Sequence, residues 1–181
     1  MTAETAFERA WVRPQEGRTL IVGSRVYLAK EDRRKRYADA LGVDLSHGEG
    51  VDVVCDLERP LPSILGHFHH VECWSVLEHC QRPWLVATHI EQAMLPGATL
   101  DVRVPFVWRL HAYPDDYWRL TASAVRLIFP NIEWDAIKYV GEDVRDEDMK
   151  VSHIKVGETH FFGRTMVFGF GKKKTNDPVH G

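Results

Sequence analysis

The sequence predicts an α/β protein in which a doubly wound, mostly parallel β-sheet forms one domain. Short apolar runs alternate along the chain with segments of helical periodicity, which is typical of parallel βαβ units. The chain has 181 residues, of which 44% are hydrophobic and 27% charged, and this composition suits a single self-sufficient core. Glycine or aspartate follows the predicted strands, as expected where a ligand lies at the carboxyl ends of a parallel sheet.

Four apolar runs predict the first strands. The run at residues 19–22 ends at Gly23-Ser24, which predicts a buried strand followed by a tight turn. The next runs occupy residues 41–44, 51–56 and 68–74. The segment LSHGEG alone separates the second run from the third, whereas a parallel crossover usually needs a dozen or more residues. The sequence therefore predicts a shortened connection between strands two and three.

Two helices and another strand are predicted in the middle of the chain. Pro83 suits the first turn of a helix that ends near Leu95-Pro96-Gly97. Apolar and polar residues alternate over residues 100–106, which indicates a strand with one wetter face. Thr121 is a suitable N-cap for the second helix.

The C-terminal part is expected to add two strands, at residues 132–140 and 165–170, with the charged loop 141–150 after the first of them. We predict a single domain over residues 1–172. The tail 173–181 is rich in lysine and polar residues and is expected to be frayed.

Composition and charge exclude several classes of protein. Basic residues number 23 against 26 acidic ones, a net charge of −3, and this balance predicts neither a nucleic-acid nor a membrane partner. Three cysteines without a CxxC pair indicate neither a disulfide framework nor a cysteine zinc site, so a reducing, cytoplasmic location is expected. No run approaches the roughly 18 apolar residues of a membrane span, so neither export nor membrane anchoring is predicted.

The residues after the predicted strands form a candidate binding site. A glycine after the first strand lets the backbone approach a ligand closely, and a carboxylate about 20 residues further on can accept hydrogen bonds from a ribose. Gly23 and Asp44 match that spacing, and Asp56 follows the third strand. This pattern indicates a nucleotide-like ligand. The alternative is an ordinary turn glycine with two surface aspartates.

Six segments follow one another in a characteristic order: TLIVGSR, ALGVDL, VDVVCDLERPLP, HHVECWSVLEHCQRPW, LPGATLDVRVPF and PFVWRLHAYPDDYWRLT. Together they resemble the class I S-adenosylmethionine-dependent methyltransferases, especially small bacterial and phage methyltransferase-like proteins. The first five are similar to the family's successive strand motifs, and the last resembles a substrate-side segment of a subset of the family. The likeness covers residues 19–130 and implies a Rossmann-like fold with S-adenosylmethionine as the cofactor.

The resemblance implies that eight residues bind the cofactor: Gly23, Ser24, Asp44, Leu45, Asp56, Leu57, Trp74 and Ser75. The first two would bound the methionine moiety, Asp44 would hold the ribose, Asp56 would face the adenine, and the last two would line the opposite wall. The first motif departs from the family pattern because it has one glycine instead of two or three. Arg25, which follows it, could repel the sulfonium or pair with the methionine carboxylate.

The segment between Trp108 and Thr121 is rich in groups that suit an acceptor site. Methyl transfer to a hydroxyl needs a positioned nucleophile and a proton acceptor, and a histidine suits the second role near neutral pH. We predict His111 as that base, with Asp115 or Asp116 orienting it or the acceptor. The alternative is that the aspartates only cap a turn.

Other polar groups have a structural interpretation. His67, His69 and His70 are expected to be exposed, since their spacing puts them on both faces of a strand, and no metal site is predicted. The basic run at residues 30–36 is expected to form a solvated helix face rather than to contact phosphate. By resemblance His79 would lie near the methyl-bearing end of the cofactor, and a structural role in its turn is equally open.

We therefore predict a methyltransferase that transfers a methyl group from S-adenosylmethionine to an oxygen of a small-molecule or glycan-like acceptor. A catalytically silent binding or assembly module with the same fold is the alternative, consistent with the single glycine of the first motif. A nicotinamide dehydrogenase would ordinarily contain GxGxxG, which this chain lacks.

Overall fold

The computed structural model of the chain describes residues 17–27, 31–111, 114–142, 154–156, 159–161 and 164–175. Its strands are β1 (Thr19–Val22), β2 (Ala40–Asp44), β3 (Val53–Val54), β4 (Phe68–Trp74), β5 (Met94–Val107), β6 (Ile132–Glu142), β7 (Ile154–Val156), β8 (Thr159–Phe161) and β9 (Arg164–Lys173). Its α-helices are α1 (Pro83–Ala93) and α2 (Ala122–Ile128), and single 3-10 turns lie at Arg33–Arg36, Ser63–Leu65 and Leu77–His79.

Seven strands form one sheet in the order β3-β2-β1-β4-β5-β9-β6, and β7 pairs with β8 in a separate hairpin. Strands β3, β2, β1, β4 and β5 are parallel, and β9 runs antiparallel to both β5 and β6. The parallel strands therefore end at one common edge. This architecture confirms the predicted α/β class with a mostly parallel sheet.

The connection between β2 and β3 is as short as the sequence predicted. Backbone hydrogen bonds join Asp52 N–H to the carbonyl of Gly42, and the Asp52 carboxylate accepts the Gly42 N–H at 2.7 Å. Arg34 also pairs with Asp52. Side-chain and backbone contacts thus hold the loop where a helix would otherwise lie, and β3 is reduced to two residues.

One face of the sheet carries the apolar core. Successive strand residues point to opposite faces, so the fully buried Leu20 and Val22 of β1 and Val71 of β4 share the face that α1 and α2 cover. Ile90 of α1 and Val125 of α2 belong to the same cluster. Thr121 caps α2 as predicted, and its hydroxyl accepts the Ala124 N–H at 3.0 Å.

The opposite face of the central strands is polar and buried. Glu72 of β4 is 1% exposed; its carboxylate accepts Arg33 Nη1 at 2.7 Å and the Tyr37 hydroxyl at 2.9 Å. The basic run is thus not a solvated helix, because its described part is a 3-10 turn whose Arg33 forms this ion pair. The expected exposure of His70 is also wrong, because this residue is central in β4 and 3% exposed.

The C-terminal strand is longer than predicted. Lys173 is the last residue of β9, and its Nζ donates to the carbonyls of Glu91 and Met94, both at 2.7 Å. The next residue, Lys174, donates its N–H to the carbonyl of Asn131. The boundary placed after residue 172 therefore comes too early. The rest of the predicted tail, from residue 176, and most of the charged loop lie outside the described residues.

The predicted turn at Leu95-Pro96-Gly97 is part of β5, where the pairing with β4 shifts register between Phe68 and His70. Within the described residues, no helix has the length and apolar character needed to cross a membrane. The cytoplasmic location stays a prediction.

Candidate active site

A cavity of about 890 Å³ opens at the common carboxyl edge of the parallel strands. The residues that follow β1, β2, β3 and β4 form one part of its wall, and the segment after β5 forms another. Such an edge is the usual ligand site of an open α/β sheet. The predicted site residues that line it are Gly23, Asp44, Leu45, Asp56, Leu57, Ser75 and His111.

The turn after β1 requires a glycine. Gly23 has φ +65°, and a Cβ at this position would lie 2.3 Å from Cγ2 of Val76. The backbone therefore reaches the cavity where a side chain would block it. Ser24 does not line the cavity; its side chain is buried beneath Gly42, where an added Cβ would lie 2.7 Å from the serine hydroxyl.

Two backbone N–H groups fix the carboxylate of Asp44. Its Oδ2 accepts Arg25 N–H at 3.2 Å and its Oδ1 accepts Ser46 N–H at 3.0 Å. The Arg25 side chain packs against Gly48, and its guanidinium lies 5.0 Å from the centre of the Tyr27 ring, so it is not among the cavity-lining groups. Neither of the roles considered for this arginine, repelling the sulfonium or pairing with the methionine carboxylate, is indicated by this position.

The third strand delivers Asp56 and Leu57 to the same wall. Asp56 Oδ1 accepts the Glu58 N–H at 2.9 Å, which orients this half-exposed carboxylate. Leu57 is 8% exposed, and its carbonyl bonds to His89 Nδ1 of α1 at 2.9 Å. Both predicted carboxylates, Asp44 and Asp56, thus face one cavity.

The structure separates the two residues predicted to line the far wall. Ser75 lines the cavity, and its left-handed backbone (φ +53°) lets its N–H reach the carbonyl of Arg103 at 2.8 Å. Trp74 lies on the polar face of the sheet, where the Arg103 guanidinium stacks 3.5 Å from its ring centre. Its predicted place in the cavity wall is therefore not observed, because Trp74 alternates in phase with Glu72 along β4.

A cluster of three side chains lies at the acceptor end of the cavity. Glu78 is fully buried, and neither of its carboxylate oxygens has a hydrogen bond of ordinary length and angle among the described residues. His79 Nε2 and His111 Nε2 lie 3.8 Å and 3.9 Å from its Oε1. Burial raises the pKa of Glu78 to about 8, and the Asp116 carboxylate adds to this effect. The backbone N–H of Glu78 itself, the Arg119 guanidinium and the Ser75 hydroxyl oppose it.

The segment after β5 contacts the Nδ1 atoms of both histidine rings, on the side away from Glu78. His79 Nδ1 contacts the carbonyl of Asp115 at 2.6 Å, and His111 Nδ1 lies 3.1 Å from Asp116 Oδ2. Burial lowers the pKa of His79. Of the two aspartates considered for His111, Asp116 is the one that lies beside it, whereas the Asp115 carboxylate accepts the hydroxyl of Tyr117.

Asp116 is itself held by an arginine. Its two oxygens accept Arg119 Nη1 at 2.5 Å and Nη2 at 2.8 Å, and Oδ2 also accepts the His111 N–H at 2.8 Å. The Arg119 hydrogen bonds hold the pKa of Asp116 far below its usual range. Arg119 also donates to the carbonyls of Trp108 and Arg109, so this pair ties the start of the segment after β5 to its end.

Sequence reasoning missed several cavity residues. Tyr27, Glu78, Trp108 and Arg109 line the cavity but were not predicted as site residues. The LEH segment drew attention to His79, and its neighbour Glu78 could have been included on the same signal. The burial of Glu78 depends on long-range contacts, since its carbonyl accepts the N–H groups of residues 117 and 118.

No family model and no curated protein matches the sequence. Solved structures do match the fold. A proposed methyltransferase from Bacillus halodurans C-125 aligns with a TM-score of 0.68 and 12% identity over 96% of this chain and 100% of that one. The 1,6-didemethyltoxoflavin-N1-methyltransferase of Burkholderia thailandensis, with bound 1,6-didemethyltoxoflavin and S-adenosylhomocysteine, aligns with a TM-score of 0.64 and 13% identity, over 95% and 76% of the two chains.

A third similar structure is the N-methyltransferase NodS of Bradyrhizobium japonicum WM9 in complex with S-adenosylhomocysteine. Its TM-score is 0.58 at 8% identity, over 86% of this chain and 77% of that one. The chain thus has the class I methyltransferase fold, which confirms the predicted fold class.

Proposed function

We propose that this chain is an S-adenosylmethionine-dependent methyltransferase that acts on an oxygen of a small-molecule or glycan-like acceptor. One observation carries the proposal. A single cavity joins the backbone turn at Gly23 and the carboxylates of Asp44 and Asp56 to the imidazoles of His79 and His111. The similar structures that hold S-adenosylhomocysteine support the choice of cofactor.

The cavity fits an adenosyl group at its strand-edge end. Each Asp44 oxygen accepts one backbone hydrogen bond and keeps a lone pair for a ribose hydroxyl. The half-exposed carboxylate of Asp56 can accept a hydrogen bond from the adenine amino group. Gly23 leaves room for the methionine part, because its turn presents only backbone to the cavity. S-adenosylmethionine supplies the electrophilic methyl group when bound.

The acceptor end suits a hydroxyl. An oxygen nucleophile must lose a proton as it attacks, whereas a neutral amine already presents its lone pair. His111 Nε2 would take that proton, since its Nδ1 lies beside the Asp116 carboxylate, which stabilises the imidazolium. In the methyl transfer, the acceptor oxygen bonds to the methyl carbon as the carbon–sulfur bond breaks. The electron pair of that bond stays on sulfur, and S-adenosylhomocysteine is the product.

Binding and turnover test this proposal separately. Calorimetry should detect one equivalent of S-adenosylmethionine or S-adenosylhomocysteine per chain and no binding of NAD⁺. Absence of binding by both sulfur compounds would overturn the enzyme proposal. Labelled methyl transfer should then be screened on fractionated metabolites and cell-envelope sugars. Cofactor binding without transfer to any fraction would favour the catalytically silent module, and transfer to amines alone would contradict the oxygen acceptor.

A further inference from the structure

The unpaired carboxyl of Glu78 is exceptional among the buried glutamates of the described chain. Glu72 is 1% exposed and accepts bonds from Arg33 and Tyr37. Glu91 is 5% exposed, and each of its oxygens accepts an N–H of Asn131 at 2.9 Å. Glu78 is less exposed than either and has no such partner. Buried polar groups are normally hydrogen-bonded, so both Glu78 oxygens remain available to bind a ligand.

Two imidazole nitrogens converge on this carboxyl. One ligand atom from each of Glu78, His79 and His111 lies within 4.8 Å of the other two. Two ligand atoms bound to one ion at about 2.1 Å each are about 3.4 Å apart in tetrahedral geometry. The observed separations of 3.8 Å and 3.9 Å between Glu78 Oε1 and the two Nε2 atoms need to shorten by only a few tenths of an ångström.

A directly shared proton does not explain the cluster. Separations of 3.8 Å and 3.9 Å exceed the range of a hydrogen bond between nitrogen and oxygen. The carboxyl and the imidazoles are therefore close without bonding to one another. An ion between them would satisfy all three groups at once.

The far nitrogens of both rings already have partners. His79 Nδ1 faces the carbonyl of Asp115 at 2.6 Å, and His111 Nδ1 faces Asp116 Oδ2 at 3.1 Å and the carbonyl of Arg109 at 3.2 Å. Such acceptors place the proton on Nδ1 and leave the Nε2 lone pair free for a metal. The Asp116–His111 pair is the outer arrangement that commonly orients a ligating histidine.

We propose that Glu78, His79 and His111 bind one divalent first-row transition-metal ion in the wall of the cavity, with open coordination positions toward the acceptor. Two nitrogens and one carboxylate suit Zn²⁺ best. Mn²⁺ should bind the same set more weakly, and Mg²⁺ and Ca²⁺ prefer oxygen ligands. The sequence predicted no metal site, because the 67–70 histidines lie on both faces of a strand and only the folded chain brings His111 to Glu78 and His79.

The metal site is formed by residues of this chain and needs no cofactor or acceptor. Its use in catalysis rests on the proposed function. An acceptor hydroxyl that binds such an ion loses its proton more readily. His111 would then act on the acceptor as a ligand of the ion instead of as a free base. The hydroxyl proton would pass to solvent water, and the methyl transfer itself is unchanged.

Metal titration tests the site without any acceptor. Full-length protein stripped by a chelator is titrated with Zn²⁺ and Mn²⁺ by calorimetry and with Co²⁺ by visible absorption. We expect one ion per chain with the native protein. The variants Glu78→Gln, His79→Gln and His111→Gln should each weaken binding at least tenfold, whereas His67→Gln, at an exposed histidine outside the cluster, should not.

Thermal melting gives a second readout that does not depend on activity. Zn²⁺ should raise the melting temperature of the stripped native protein but not that of Glu78→Gln, which keeps the shape of the side chain. Absence of stoichiometric binding, or equal affinity in native protein and Glu78→Gln, would overturn the proposal. Ion binding without S-adenosylhomocysteine binding would contradict only the proposed function, and the converse would contradict only the metal site.

Discussion

At the scale of single residues, Gly23 determines how closely a ligand can approach the end of β1. Gly23→Ala introduces both a left-handed alanine and a Cβ 2.3 Å from Val76 Cγ2. We expect it to lower the free energy of unfolding by about 2–4 kcal/mol, since backbone strain and overpacking add, and to weaken cofactor binding. Urea denaturation and calorimetry measure the two effects.

Gly66→Ala is the matched control for that substitution. Gly66 also has a positive φ, +75°, but an added Cβ there would lie 3.7 Å from the nearest atom, on Arg18. It should cost only the backbone part, about 1–3 kcal/mol, because φ +75° with ψ −155° is a conformation that residues other than glycine rarely adopt, and it should leave cofactor affinity unchanged. Equal losses in both variants would show that contact with Val76 is unimportant.

The carboxylate of Asp44 provides a direct test of the proposed ribose site. Asp44→Ala should weaken S-adenosylhomocysteine binding by about 1.5–3 kcal/mol, because hydrogen bonds to a charged group are lost; this corresponds to roughly 10-fold to 150-fold in Kd. Calorimetry measures it. Asp39→Ala, at the exposed residue before β2, should have no effect. An unchanged affinity in Asp44→Ala would remove this residue from the site.

Single residues also show what the sequence could predict about the site. Gly23, Asp44 and Asp56 were predictable because each directly follows an apolar run, and the end of a strand is a local signal. Trp74 was predicted to line the same wall as Ser75 because the two residues are adjacent at the end of β4. Successive side chains point to different surroundings there, so only Ser75 lines the cavity. The burial of Glu78 had no local signal, because distant residues create it.

At the scale of elements, the segment between β5 and α2 depends on the Asp116–Arg119 pair. Asp116→Asn removes a charge that accepts two Arg119 bonds and the His111 N–H. We expect the free energy of unfolding to fall by about 1.5–3 kcal/mol, since hydrogen bonds to a charged group are lost from a partly exposed ion pair, and metal affinity to fall with it. The pKa of Asp116 is lowered by folding, so its contribution is present at neutral pH and is lost as pH falls below about 4.

Asp115→Asn is the control from the adjacent position. The Asp115 side chain is exposed and accepts only the hydroxyl of Tyr117 at 3.0 Å among the described residues. Its loss should cost less than about 1 kcal/mol. Similar destabilisation by the two variants, measured by urea denaturation at pH 7, would contradict the role given to Asp116.

Elements differed in how far they were predictable. Helix α1 and strand β1 were predicted nearly to the residue, because a proline start and an apolar run are encoded locally. The antiparallel insertion of β9 between β5 and β6 was not predicted. Its position depends on pairing between residues about 65 apart along the chain, such as Arg103 with Phe168, and no local pattern encodes that choice.

At the scale of the whole molecule, the two faces of the sheet are stabilised differently. The face under α1 and α2 is apolar, whereas the other face buries His70 and Asp101 together with the Arg33–Glu72 pair. Apolar burial does not change with pH. The polar face must therefore carry part of the pH dependence of stability, through groups whose pKa values differ between the folded and unfolded chain.

Two of these groups act in opposite directions. Burial lowers the pKa of His70 to about 4, so folding is weakened as pH falls from about 6.5 toward 4, where the unfolded chain binds the extra proton. Burial raises the pKa of Asp101 to about 6, so folding is weakened as pH rises from about 4 to 6. Each contributes up to about 3 kcal/mol. Between pH 4 and 6 they should nearly cancel.

Removing either group should leave the pH dependence of the free energy of unfolding that comes from the other. Relative to the native chain, His70→Gln should become less stable as pH rises from 4 to 6, and Asp101→Asn should become more stable over the same range. The side chains facing these groups are Thr99, whose Oγ1 lies 2.7 Å from His70, Tyr37, whose hydroxyl lies 3.4 Å from it, and Arg103, which pairs with Asp101. Subtracting the stability of the native chain from that of each variant removes the contribution of the carboxyl groups that all three proteins share. Urea denaturation at pH 4, 5 and 6 measures the slopes. Slopes of the same sign in both variants would mean that the polar face does not titrate as two opposed buried groups.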